Sequence, residues 1–191
     1  MNGGLIEQQE MKHIWVITGP AGCGKTTVAQ YLVKQLSLPY VEGDDYHSKT
    51  SKHKMASNIP LTDDDRWSWL IELRKEAMKR LQSSPGVIVT CSALKHRYRD
   101  VLRVAHYENP NIQVHFIYLR ADRKTLQERV ANRQNHYMKK EMVNSQLDNL
   151  EEPEEEEWDA MSVDVRSTPE EVQHAALEVV KKKLAEYQHQ S

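Results

Sequence analysis

Eight residues, Gly19-Pro20-Ala21-Gly22-Cys23-Gly24-Lys25-Thr26, constrain what the rest of the chain can be. They fit G-x-x-x-x-G-K-[ST], the pattern of a phosphate-binding loop. The apolar run Ile14-Trp15-Val16-Ile17 leads in, and Val28, Ala29, Tyr31, Leu32 and Leu36 follow at helical spacing. Strand, loop and helix are thus expected in the order this loop needs. Glycines let successive backbone N–H groups curl round one polyphosphate, and the new helix adds the positive end of its dipole. Lys25 is expected to reach the β- and γ-phosphates, and the Thr26 hydroxyl to sit on Mg²⁺. With Thr27, this stretch is the expected ATP site. The bland alternative is a glycine-rich turn that binds nothing, which the flanking pattern disfavours.

Five apolar runs read as buried parallel strands: 13–18, 40–42, 87–91, 114–119 and 161–165. Helical patterns separate them. The alternation predicts an α/β fold with a five-stranded parallel sheet, helices on both faces, and ligands at the carboxyl ends of the strands. At 191 residues the chain suits one domain over 11–191, after a start over 1–10 expected to be disordered. A net charge of −2 gives no bulk attraction to nucleic acid, and no apolar run approaches membrane-spanning length. Two cysteines, Cys23 and Cys91, make neither a disulfide framework nor a metal cluster. They suit a reducing, cytoplasmic setting.

Candidate chemistry collects after the strands. Gly43-Asp44-Asp45-Tyr46-His47 lies directly beyond the second. Lys95, Arg97, Arg99 and Arg103 lie on the helix after the third. Thr62 or Asp63 can cap a long helix that ends at Ser83-Ser84-Pro85-Gly86. Asp63, Asp64 and Asp65 read either as a metal cluster or, more simply, as carboxylates at a helix N-terminus. After the fourth strand, Asp122 can cap a helix over 124–132, and Arg129 and Arg133 share one of its faces if it continues. The acidic run 151–157 reads as a solvated surface segment, and Thr168-Pro169 as the start of the last helix.

Other phosphate-binding proteins can be excluded. No glycine has Asp three places before it, so the D-x-x-G switch of regulatory GTPases is absent, as is N-K-x-D. D-F-G does not occur, and a dinucleotide fingerprint fails at Thr27. What remains is a small P-loop kinase with an acceptor pocket and a basic lid over about 129–150. At this level the chain resembles the gluconate kinase (gluconokinase) family, similar in fold to shikimate and nucleoside-monophosphate kinases. The stretches that carry the resemblance are GPAGCGKTTVA, EGDDYH, KMASNIPLTDDDRWSWL, VTCSALKHRYRDVLR, IYLRADRKTLQERVANRQNHYM and SQLDNLEEP. The family usually has Pro at Ser48, Asn at Ser51, and Gly at Asn58 and Asn135.

The resemblance implies transfer of the ATP γ-phosphoryl to the C6 hydroxyl of D-gluconate. Asp44 is then the candidate to orient the hydroxyl and take its proton, the alternative being a cap or structural carboxylate. His47 meets a sugar hydroxyl or simply packs. Lys95 and Arg99 are expected to meet the substrate carboxylate or the travelling phosphate, with Lys54 and Arg66 as lesser candidates. Lys25, Arg129 and Arg133 are the cations set against the phosphoryl group, and Arg129 also counts among the ATP contacts. His136 and Gln146 are expected on the acceptor side. A homodimer is compatible with the family.

Overall fold

The computed structural model describes residues 10–57, 59–131 and 137–188, without the side chains of residues 130 and 137–142. The expected disordered start therefore lies almost wholly outside the described residues, as do Arg133 and His136. The elements run β1 (Lys12–Thr18), α1 (Lys25–Leu36), β2 (Tyr40–Glu42), a 3₁₀ turn (Gly43–Tyr46), α2 (Lys49–Ala56), α3 (Asp63–Arg80) and β3 (Gly86–Thr90). Then come α4 (His96–Glu108), β4 (Ile112–Arg120), α5 (Arg123–Ala131), α6 (Tyr137–Asp148), β5 (Ala160–Asp164) and α7 (Pro169–Gln188). All five expected strands are present. They form one parallel sheet in the order β2-β3-β1-β4-β5.

The central strand β1 is buried on both faces, and its alternate side chains divide the core in two. Trp15 and Ile17 pack with Leu32 of α1, Ile117 and Val180 of α7. Ile14 and Val16 pack with Leu70 and Leu73 of α3, Leu102 of α4 and Phe116. Helices thus cover both faces, and the loop after β1 emerges at the middle of the sheet's carboxyl edge. Gly43 explains why the short β2 can join this sheet. A Cβ there would stand 2.1 Å from the Thr90 carbonyl oxygen, so only glycine permits the close approach to β3.

The caps follow local rules. Thr62 and Asp65 exchange hydrogen bonds in a capping box on α3. Asp122 accepts from the Thr125 N–H at 2.8 Å, as its position before α5 leads one to expect. Thr168 and Glu171 do the same reciprocally at α7, with Pro169 first in the helix.

At the opposite edge of the sheet sits a buried aromatic stack. His115 lies against Trp15 with ring centroids 4.3 Å apart, and His13 Nδ1 is 3.0 Å from His115 Nε2. Burial lowers the pKa of His13 to about 4 and that of His115 to about 3, so both are neutral at pH 7.

Candidate active site

The phosphate-binding loop has the backbone its sequence demands. Gly19, Gly22 and Gly24 all have positive φ, at 143°, 83° and 100°. Crowding adds a second constraint at Gly19, where a Cβ would stand 2.8 Å from Cys23 Sγ. Helix α1 starts at Lys25 with no side-chain cap and no acidic residue in its first turn. Its first N–H groups and its dipole are therefore left for an anion. Lys25 Nζ donates to the carbonyls of Gly19 and Pro20, at 2.9 and 3.0 Å, which holds the ammonium beside the loop. Cys23 is buried in the core. Burial raises its thiol pKa in spite of nearby Lys25, so it is a neutral packing group.

The loop opens on a cavity of about 720 Å³ that also reaches Glu42, Asp44, Asp63, Arg66, Lys95 and Gln146. That volume is typical of a small-molecule site. Asp44 stands at its mouth, walled by protein yet with 85 % of its side chain exposed. Its pKa is raised, first by lost solvation and then by the charge of Glu42, against the pull of Lys25. His47 is buried and stacked on Trp69 at 4.1 Å, with Nε2 3.8 Å from Asp44 Oδ1. Its Nδ1 has no hydrogen-bond partner among the described residues. Burial first, then Arg66 and Lys52, lower its pKa to about 4.

Across the cavity, α3 and α4 supply a charged cluster. Asp63 accepts a hydrogen bond from the Tyr98 hydroxyl and pairs with Arg97 and, at 3.3 Å, with Lys95. The Tyr98 bond, followed by these cations, holds the Asp63 carboxyl below its ordinary pKa. Arg66 lies over the Tyr98 ring at 5.5 Å. Among the described residues, no carboxylate comes within ion-pair distance of its guanidinium.

Two expected substrate contacts are engaged elsewhere in the fold. Arg99 is 1 % exposed and does not line the cavity. It grips Glu157 with two bonds, at 2.8 and 2.5 Å, and donates to the carbonyls of Ala93 and Glu151. Lys54 likewise lies outside the cavity, bound to both oxygens of Asp65 at 2.7 and 2.9 Å. It ties α2 to the α3 capping box. The run 151–157 is mostly exposed, as expected, and Glu157 is the exception. Glu157 is buried, and although burial opposes ionisation, Arg99 and then Arg103 bring its pKa down to about 2. Glu151 accepts from the His96 N–H at 2.7 Å and so caps α4.

Arg129 does not line the cavity in this conformation. It donates to the carbonyls of Cys23, at 3.5 Å, and of Val165. Gln146 does line the cavity, and its Oε1 accepts from the Ala21 N–H at 2.6 Å.

Glu42 was not anticipated. It ends β2 and pairs in register with Thr90, whose hydroxyl donates to it at 2.5 Å. Tyr40 also donates to it, and Thr26 Oγ1 lies 3.5 Å from Glu42 Oε2. A hydroxyl and a carboxylate beside an anion-binding loop are hard oxygen donors. They fit a Mg²⁺ ion that keeps several waters and takes its remaining oxygens from phosphate. No cluster of three or more His, Cys, Asp or Glu suited to a metal occurs among the described residues. The Asp63–Asp65 run is therefore not one. The signal for Glu42 was its place two residues before Asp44, at a strand end.

Comparison with known proteins agrees with this geometry. A family model described as "AAA domain" matches residues 14–153. A probable gluconokinase of Schizosaccharomyces pombe is 44 % identical over 186 residues, covering 93 % of each chain. The thermoresistant gluconokinase of Escherichia coli is 38 % identical over 170 residues, covering 89 % of this chain and 94 % of its own. The crystal structure of a gluconokinase from Sinorhizobium meliloti superposes with a TM-score of 0.83 at 34 % identity, covering 96 % of this chain and 99 % of that one. With a phosphate loop, a facing carboxylate and a cationic wall in one cavity, the chain belongs to the gluconokinase family of P-loop kinases.

Proposed function

We propose that the protein transfers the γ-phosphoryl of ATP to the 6-hydroxyl of D-gluconate, giving 6-phospho-D-gluconate and ADP. One observation carries this reading. A single cavity holds the phosphate loop, the exposed carboxylate of Asp44, and the cations Arg66 and Lys95. An acceptor with an alcohol at one end and a carboxylate at the other matches that polarity.

The loop N–H groups and Lys25 hold the polyphosphate. Asp44 orients the acceptor hydroxyl and takes its proton as the bond to phosphorus forms. His47, neutral near pH 7 and lining the cavity, meets a second hydroxyl. Arg66 and Lys95 receive the acceptor carboxylate. Thr26, with Glu42 nearby, would hold Mg²⁺, which when bound offsets the charge of the phosphates. Arg129 and Arg133 belong to the lid region and close on the phosphoryl group, Arg129 after leaving its carbonyl partners. Buried, unpaired Cys23 and Cys91 suit a reducing cytoplasm, and a homodimer is compatible with the family.

Gluconate-dependent ADP release in a coupled assay tests the reading. Turnover with shikimate or a nucleoside monophosphate, and none with gluconate, would sink it. Asp44→Asn should cut kcat by about 10²-fold or more while ATP affinity holds. Equal small losses in both would return Asp44 to a structural role.

A further inference from the structure

The contact between Gln146 and the phosphate loop holds more information than its distance. Ala21 N–H is only a donor, so the atom of the Gln146 amide facing it must be the oxygen. That fixes the orientation of the whole amide. Its Nε2, with two N–H donors, is turned away from Ala21. No acceptor among the described residues takes either of them, and the half-buried side chain lines the cavity.

The helix beneath is held in place. Asn144 accepts from Gln127 at 2.8 Å and from Arg123 at 3.0 Å, and Asp148 pairs with Arg123 at 2.8 Å. These bonds fasten α6 to α5, and α5 touches the loop again through Arg129 and the Cys23 carbonyl. Gln146 is therefore a donor on a braced helix, its direction set by the phosphate loop itself.

We infer that Gln146 is a specificity-determining residue whose Nε2 donates to the acceptor hydroxyl next to the reacting one. The assignment rests on gluconate as the acceptor. Gln146 touches Ala21, so its free N–H groups lie at the junction of the donor and acceptor halves. The C6 hydroxyl there belongs to Asp44. The C5 hydroxyl is the next oxygen along the chain and the nearest one left for the amide. Recognition of C5 then reports the conformation of the phosphate loop as well as the shape of the acceptor.

The test compares gluconate with 5-deoxygluconate in the wild type and in two variants. In the wild type, 5-deoxygluconate should lose roughly tenfold or more in kcat/KM, the scale of one hydrogen bond between site and substrate. Gln146→Met should lose a similar factor with gluconate, keep its ATP Kd within about twofold, and no longer distinguish the two acceptors. Gln146→Glu keeps an oxygen for Ala21 N–H but cannot donate, and should also lose the discrimination. If either variant discriminates as the wild type does, the inference is overturned. It also falls if Gln146→Met weakens ATP binding as much as it lowers kcat/KM, since the contact is then to phosphate. Absence of wild-type turnover with gluconate is a separate result that defeats the acceptor assignment and the inference with it.

Discussion

The two halves of the cavity are built from different materials. The donor half is mainly backbone: glycines at positive φ, an uncapped helix start and one lysine held by carbonyls. The acceptor half is mainly side chains from distant segments, already engaged with one another through Asp63, Tyr98, Lys95 and Arg97. A backbone site is rigid, and among single substitutions only proline deletes one of its N–H groups. A side-chain site can be retuned, but each member depends on partners that sequence proximity does not reveal. Failures in the first half should therefore appear in the phosphoryl step, and failures in the cationic wall of the second in acceptor affinity.

The largest expected effect is on the donor side. Lys25→Ala should lower kcat by about 10³-fold, the scale of a cation on transition-state charge. Near-normal turnover would show that the loop backbone suffices. Next comes a residue that belongs to neither half but supports the second. Arg99→Met leaves Glu157 buried with Arg103 as its remaining partner, and should cost about 3 kcal/mol of stability in denaturant unfolding. An unchanged midpoint would mean that Arg103 alone satisfies Glu157. On the acceptor side, Arg66→Met should raise the gluconate KM about tenfold with little change in ATP Kd. A weakened ATP Kd instead would assign Arg66 to the phosphates and blur the division.

The smallest effect tests whether the rest of the fold is independent of the site. His13, His47 and His115 have folded pKa values of about 4, 4 and 3, below the unfolded value near 6.5. Between about pH 6.5 and 4 the unfolded chain holds more protons, so stability falls as pH falls. Melting temperature should decline from pH 7 to pH 5, a window above most carboxylate titration. His115→Phe, which keeps the stack on Trp15, should make that decline shallower. A slope that does not change would remove the buried pair as its cause.

How much of this was legible from the chain depends on the range of the interaction. The loop, the five strands and the caps at Thr62, Asp122 and Thr168 were legible, because residues a few places apart decide them. Asp44, Arg66 and Lys95 could be placed near the site because they follow strand ends or lie in family-like stretches. Arg99 was expected at the cavity because its neighbour in sequence, Lys95, does line it. Its own partner is Glu157, 58 residues on, inside a run that looks solvated. Lys54 is held away from the cavity by Asp65, 11 residues on. Glu42 was missed because its contact with Thr90 comes from β2 pairing with β3, which its place before Asp44 does not report.

The Ser92 carbonyl joins the two halves directly. It accepts from Thr18 Oγ1 at 2.6 Å and from the Gly19 N–H at 3.4 Å, and it lies three residues before Lys95. In a machine, error accumulates at every joint between two parts that must meet. Here the first glycine of the phosphate loop and the segment that leads to an acceptor cation share a direct joint. A displacement of that segment is thus passed straight to the first glycine of the phosphate loop, with no intervening side chain to absorb it.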